Sequence, residues 1–393
     1  MPPTESLPKV KVSPRGATRL KQGHVWVYKS DVETGAGVAP GSLVRVTDQR
    51  GKPLGSALYS SSSQIAIRML GQELVSDLHT LVRRRIADAI AYRQKLVDET
   101  TAYRVVFSEA DFLPGLIVDR YNDVLSLQVL TQAFDASPLR ETIISELVTR
   151  LSPASVVERV DPRVRELETL PFRPSGPVHG DKTSTIFTMN DVQFRYDALE
   201  GQKTGAFLDQ RENYVAAAQY AHGKALDVFC YQGGFALHLA PKCSQVTGID
   251  SSRPALEAAD RNAILNQREI EWIEANAFDL LKDYAASSRQ YDTIVLDPPA
   301  FAKTKRDLDS ALRGYKELNL RALKMLRPGG ILVTCSCSYH LNQSAFQEML
   351  GTAALDAHKT LRILEVRGQS RDHPILINVP ETAYLKCVMT TVT

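Results

Sequence analysis

Cysteine is scarce in this 393-residue chain, and its spacing excludes two chemistries. Cys230, Cys243, Cys335, Cys337 and Cys387 make an odd five, with no C-x-x-C pair and no histidine at ligand spacing. Neither a disulfide framework nor a structural zinc site is indicated, so no metal is expected. Long apolar runs are missing too: Ile294 to Leu296 and Ile331 to Val333 fall far short of the roughly 18 residues that a spanning helix needs. The polar opening MPPTESLPK has no apolar h-region, so no secretory signal is read there. The expectation is a cytoplasmic protein with no membrane segment. Strong net charge is absent as well, at +2 overall, while 44% hydrophobic and 23% charged residues are ordinary for folded domains. At about 150 residues per domain, the length suggests two or three of them.

The charge is unevenly placed. Residues 1 to 72 hold ten Lys and Arg against four Asp and Glu, a local +6, leaving −4 for the remainder. A basic module joined to a mildly acidic body permits nucleic-acid contact, with Arg15 and Lys21 as candidate RNA contacts. Short alternating runs over Val10 to Leu70, broken by Gly35, Gly37, Gly41 and the turn Gly51-Lys52-Pro53, read as a small β-barrel-like module. Leu74 to Glu99 carries apolar residues at helical spacing. Strands at Tyr103 to Phe107, Leu116 to Asp119 and Val124 to Val129 follow, then a helix from Pro138 to Leu151 and a strand at Ser155 to Glu158. Pro171 to Lys182, rich in Pro and Gly, reads as a connector. The boundaries expected are 1–72, 73–184 and 185–393.

From about Thr185 strands and helices alternate, as in a doubly wound α/β sheet. The strands expected are Ala225 to Phe229, Gln245 to Asp250, Ile270 to Glu274, Thr293 to Asp297, Ile331 to Cys335, Leu361 to Val366 and Tyr384 to Met389. Ligands of such sheets bind beyond the carboxyl ends of the strands. After the first strand, which holds Asp227, comes Phe229-Cys230-Tyr231-Gln232-Gly233-Gly234. The paired glycines either let the backbone approach a ligand or make a plain tight turn. Asp250, followed by Ser251 and 23 residues after Asp227, is placed to accept from ribose hydroxyls. No GxGxxG cradle for a pyrophosphate is present, which favours S-adenosyl-L-methionine over a dinucleotide. Asn276, Ala277 and Phe278 follow the third strand, a polar edge and an aromatic face that suit adenine, although Phe278 fits a core position equally.

The fourth strand runs into Asp297-Pro298-Pro299-Ala300-Phe301. Two prolines after a strand-ending acid fix the backbone in extended form, holding the carboxylate in the cleft as a base-binding group. Lys303, Lys305 and Arg306 suit a phosphate backbone or a solvated loop. The fifth strand ends in Cys335-Ser336-Cys337-Ser338, where alternation puts both thiols on one face. A thiolate there can add to C6 of a pyrimidine and make C5 nucleophilic toward an activated methyl group.

Taken together, these residues resemble the bacterial large-subunit ribosomal RNA cytosine-5 methyltransferases with an N-terminal PUA domain, a central α+β domain and a Rossmann-like methyltransferase domain. The resemblance rests on Leu113 to Arg120, Gly201 to Gly205 with Phe207 to Arg211, Asp227 to Phe235, Asp297 to Phe301 and Cys335 to Ser338. It implies that Lys203, Thr204, Gly205 and Phe207 close over the methionine end of the cofactor. Asp227, Phe229, Tyr231 and Gly233 would line it, Asp250 and Ser251 would take the ribose, and Asn276 and Ala277 would lie near adenine. It implies Cys337 as nucleophile, with Cys335 as packing residue or proton-removing helper, and Asp297 on the base. The partner implied is 23S rRNA or a large-subunit assembly particle, with a homodimer left open. Two alternatives stay open: methylation of a base amino group, and a non-catalytic RNA-binding assembly factor.

Overall fold

The computed structural model describes residues 7–35, 37–98, 100–200, 205–302 and 304–393. Contacts gather into two units, one of Met1–Ile186, Tyr196–Gly205 and Arg371–Thr382, the other of Phe187–Arg195, Ala206–Ser370 and Ala383–Thr393.

Two sheets make up the first unit. The N-terminal one has six strands in the order Trp26–Tyr28, Ile65–Gly71, Pro53–Tyr59, Leu43–Thr47, Lys9–Val12 and Val32–Thr34. Its inward residues Val10, Val12, Val44, Val46 and Ile67 are fully buried, as period-2 alternation requires. Within this module the sequence reading missed the helix Pro14–Lys21, whose start signals are both present: Pro14 in the first turn and a Ser13 side chain accepting the Gly16 N–H at 3.1 Å. Eight residues are too few to show helical periodicity clearly. The five-stranded sheet runs Gly176–His179, Ser155–Glu158, Val124–Val129, Leu116–Tyr121 and Ala102–Phe107, covered by helices Leu78–Leu96 and Ser137–Leu151. Gly176–His179 corrects the connector reading: Pro177 is accommodated because this strand pairs only on one side. Leu58 and Leu70 of the first sheet share a core with Val82, Ile86, Val105 and Leu127, so packing runs continuously across residue 72.

The second unit is built on a seven-stranded sheet. Its strands are β1 (Lys224–Val228), β2 (Gln245–Asp250), β3 (Glu271–Glu274), β4 (Tyr291–Leu296), β5 (Leu326–Ser336), β6 (Leu361–Arg367) and β7 (Lys386–Val392). The order is β3-β2-β1-β4-β5-β7-β6. The first five are parallel, while β7 runs antiparallel to both β5 and β6, so the sheet is mixed. The helices are α1 (Arg211–Tyr220), α2 (Gly234–Leu239), α3 (Arg253–Leu265), α4 (Ala277–Ala286), α5 (Leu308–Met325) and α6 (Gln343–Asp356). Leu226, Val228, Ile249, Ile294, Leu296 and Leu332 are buried between the layers, the near-continuous apolar strands of a sheet covered on both faces. Because β1 and β4 are neighbours, with Val228 opposite Leu296, the chain segments leaving their carboxyl ends meet at one point.

Candidate active site

The loop after β1 is wound tightly. Phe229, Tyr231 and Gly233 all have positive φ, at 66°, 50° and 82°; left-handed backbone at the two aromatic residues costs on the order of 1–3 kcal/mol each. Bonds to β2 hold it there: Phe229 N and Cys230 N donate to Ile249 O at 2.8 and 3.0 Å, and Tyr231 N donates to Asp250 Oδ2 at 3.0 Å. The glycine pair is required by the chain's own rings. A Cβ on Gly234 would stand 2.5 Å from the Tyr214 ring, and one on Gly233 2.9 Å from Trp272. Asp250 also accepts from Ser252 N at 2.9 Å, so it shapes the turn while its partly exposed edge remains accessible.

Two carboxyl groups stand where β1 and β4 end. Asp227 is fully buried; its Oδ2 accepts the Ala236 N–H of α2 at 2.9 Å, and its Oδ1 is buried without a protein partner. Burial pushes its carboxyl up to about 8, with the charges of Asp297 and Asp250 adding to the shift. Asp297 keeps a partly accessible surface, yet packing around the carboxyl pushes it up to about 7, helped by the charge of Asp209. Its Oδ2 accepts from Gln210 Nε2 at 3.0 Å. Gln210 is oriented in turn, because its Oε1 accepts from Asn213 Nδ2 at 2.6 Å, and that nitrogen also donates to Gly368 O at 3.0 Å. Asp209 accepts from the Tyr384 hydroxyl at 2.6 Å. In the sequence Asp209 and Gln210 stand out only as part of the Phe207 to Arg211 motif; a buried glutamine beside an acid leaves no periodic signal to find.

The two thiols at the end of β5 differ sharply. Cys335 is fully buried opposite Cys387 of β7, and burial above all, with Cys387 and Asp297 adding, pushes its thiol well above the usual range. Cys337 is partly exposed, with Sγ 4.0 Å from the carbonyl oxygen of Pro298. Around it the Tyr315 hydroxyl of α5 joins Ser336 Oγ and Ser338 Oγ, each at 2.9 Å. Ser338 Oγ also accepts the Ala302 N–H at 3.1 Å, tying the Asp-Pro-Pro loop to the cysteine segment.

The remaining expected residues are more dispersed. Asn276 caps α4, its Oδ1 accepting from Phe278 N at 2.9 Å and Asp279 N at 3.4 Å, so its amide oxygen already serves the helix. Ala277 is buried in the first turn of that helix, and Ser251 is exposed after β2. The Phe278 ring packs on Phe301 at 5.9 Å, and Phe301 on Tyr315 at 4.7 Å. Phe207 meets Tyr231 edge-on at 5.0 Å. Gly205, with φ of 135°, belongs to the first unit, where a Cβ would stand 2.4 Å from the Tyr196 ring. Lys203, Thr204 and Lys303 lie outside the described residues. Lys305 and Arg306 are exposed in a short 3-10 turn. In the first unit, Arg15 and Arg19 line an open cleft of about 580 Å³ together with Thr18, Gln22 and His24. Arg15 also pairs with Asp31 at 2.8 Å, and Lys21 is exposed on the same helix.

Two stretches of the chain match known families. Residues 10–72 match a PUA-like domain, and residues 176–385 match an S-adenosylmethionine-dependent methyltransferase family. Ribosomal RNA large subunit methyltransferase I of Photobacterium profundum is 37% identical over 93% of this chain and 95% of its own length. The protein of the same name from Shewanella frigidimarina is 37% identical over 96% of this chain and 98% of its own. Among solved structures, a protein crystallised in complex with SAH superposes with a TM-score of 0.83 at 18% identity, covering 98% of this chain and 100% of that one, and so shares the fold.

Proposed function

We propose a reaction for this chain, which belongs to the ribosomal RNA large subunit methyltransferase I family of S-adenosylmethionine-dependent enzymes: methyl transfer to C5 of a cytosine in large-subunit ribosomal RNA. The observation that carries it is the contrast at the end of β5, where Cys337 is partly exposed beside Pro298 and Cys335 is sealed in the core.

The cofactor, when bound, supplies an electrophilic methyl group on a sulfonium. The residues present fit such a group: the buried, unpartnered Asp227 Oδ1 suits its amino group, and Asp250 suits the ribose hydroxyls. Phe207, Phe229, Tyr231 and Gly233 would line its methionine end, with Ser251 beside the ribose and Ala277 toward adenine. Asp297, with a carboxyl near 7, is protonated in a large fraction of molecules at neutrality. It can therefore donate to the ring nitrogen N3 of cytosine and accept from the exocyclic amino group. The Cys337 thiolate adds to C6 and breaks the C5–C6 double bond, leaving at C5 an electron pair that would take the methyl group from the bound sulfonium, the methyl–sulfur bond breaking with its pair kept on sulfur as a thioether. A base removes the C5 proton, the double bond re-forms and the thiolate leaves. Ser338, Tyr315 and Ala302 N–H fix the two loops so that acid and thiol approach the same ring.

The exposed basic side chains Arg15, Lys21, Lys305 and Arg306 supply phosphate contacts, and the substrate is 23S rRNA or an assembling large-subunit particle. Incubation with labelled cofactor and bulk rRNA, followed by nucleoside digestion, should yield 5-methylcytidine; an N-methylated nucleoside would overturn the C5 reading. RNA carrying 5-fluorocytosine should trap a covalent adduct with wild type and Cys335→Ala but not with Cys337→Ala. An adduct that persists in Cys337→Ala would move the nucleophile to Cys335.

A further inference from the structure

Lys386 is an unexpected residue in the core of the second unit. It is 6% exposed and opposes Ser336 in the β5–β7 register. Its Nζ donates to Ser338 O at 2.6 Å and to Tyr384 O at 2.7 Å. Among the described residues no carboxylate pairs with it within salt-bridge distance. An ammonium enclosed this way without a counter-ion is costly, so the fold keeps it against its own stability unless an anion forms nearby. Ser338 follows directly on Cys337. The lysine therefore grips the peptide beside the thiol that the proposed reaction ionises.

We propose that Lys386 is a positioning residue for the methyl transfer: its ammonium clamps the segment carrying Cys337 and holds the Cys337 sulfur as thiolate, the thiol proton passing to solvent. The inference rests on the reading of Cys337 as nucleophile. The electrostatics agree in sign. Burial lowers the lysine to about 8, and a Cys337 thiolate would raise it; by reciprocity the ammonium favours the thiolate. Among the described residues the Tyr315 phenol of α5 is also set against Cys337, and burial raises it, so it is neutral. On the same segment, His340 turns toward the Tyr339 ring at 5.0 Å, and Asp297 at the end of β4 acts on Cys335.

The test needs no RNA. Alkylation of the intact protein by iodoacetamide is followed from pH 5.5 to 10 with peptide mass mapping. Cys243, whose thiol burial pushes up to about 11, serves as internal reference. The Cys337 midpoint should lie below the free-thiol value of about 8.5. Lys386→Met should raise it by about one unit and slow alkylation at pH 7 about tenfold, and Lys386→Arg should restore most of the loss. A lysine that only staples the loop would leave the midpoint where it was. An unchanged midpoint in a Lys386→Met variant that still binds cofactor overturns the proposal. If that variant does not fold, a wild-type midpoint at or above about 8.5 does so alone. The two readings fail separately: methylation that survives Cys337→Ala removes the nucleophile, whereas an unmoved alkylation profile removes only the lysine.

Discussion

Strand β4 carries an aspartate near each end, and the two are opposites. At the amino end, Asp292 accepts from Lys224 N at 2.8 Å and from Arg327 Nη1 at 3.0 and 3.2 Å. Partial burial would raise its carboxyl, but these bonds outweigh burial and hold it below the usual range. At the carboxyl end, Asp297 faces the side-chain amide of Gln210 and the like charge of Asp209, and burial drives its carboxyl up to about 7. One acid is stabilised as an anion and fastens strands together. The other is kept half-titrated at neutrality, the state that the proposed contact with a base requires.

The largest effect that this contrast predicts is on catalysis. Asp297→Asn keeps an acceptor for Gln210 but cannot be ionised or present a carboxylic O–H. Methyl transfer to rRNA should fall by roughly 10²–10⁴-fold, the usual weight of a positioned acid or base, while the circular dichroism spectrum stays that of wild type. Near-full activity in folded Asp297→Asn would show that the elevated carboxyl is incidental.

A smaller effect is on the pH dependence of stability. Asp227 and Asp297 have folded values of about 8 and about 7, above the unfolded value of about 3.9, so the native state binds their protons more tightly. Their contribution to stability is therefore fully present at acid pH and is lost as pH climbs through about 7 and about 8. Asp292, shifted downward, contributes in the opposite sense: its share is present above the unfolded value and disappears as pH falls through the folded one. The melting temperature of cofactor-free protein should drop from pH 5.5 to 8.5, and Asp297→Asn should flatten that drop. Equal slopes for variant and wild type would remove Asp297 as a cause.

Much of this arrangement was legible in the residues, for identifiable reasons. Gln245–Asp250 and Ser155–Glu158 appear where the sequence places them, because short β-branched runs bounded by turn residues have few other uses. Placing Asp227, Asp250, Asp297 and the cysteines at strand ends needed only strand order. What stayed hidden depends on three-dimensional packing. Cys335 and Cys337 share a face by alternation, yet β5 ends at Ser336, so the rule lapses at Cys337 and the two thiols end in different surroundings. Gly233 and Gly234 leave a ligand approach and a plain tight turn both open in the sequence, and the close approach of the Trp272 and Tyr214 rings that requires glycine there is not visible in it. Lys386 sits in Tyr384-Leu385-Lys386-Cys387, which nothing local marks as buried.

The smallest effect belongs to the structural end of β4. Asp292→Ala removes the acceptor for Lys224 N–H and for Arg327, but Arg327 is 46% exposed, so that ion pair contributes little. The backbone bond dominates, and its loss should cost about 1–2 kcal/mol. For a unit of this size that lowers the melting temperature by a few degrees, roughly 2–4 °C per kcal/mol. Gly223 approaches this carboxylate so closely that a Cβ there would stand 2.1 Å from Asp292 Oδ2, so alanine at 292 also leaves a gap beside the turn into β1. Asp292 and Asp297 are five positions apart, roughly 16 Å of extended chain, which places the lesion far from the reacting groups. Methyl transfer per folded molecule should then match wild type. A folded Asp292→Ala protein that melts normally but fails to methylate would reverse the assignment, moving function to the amino end of the strand.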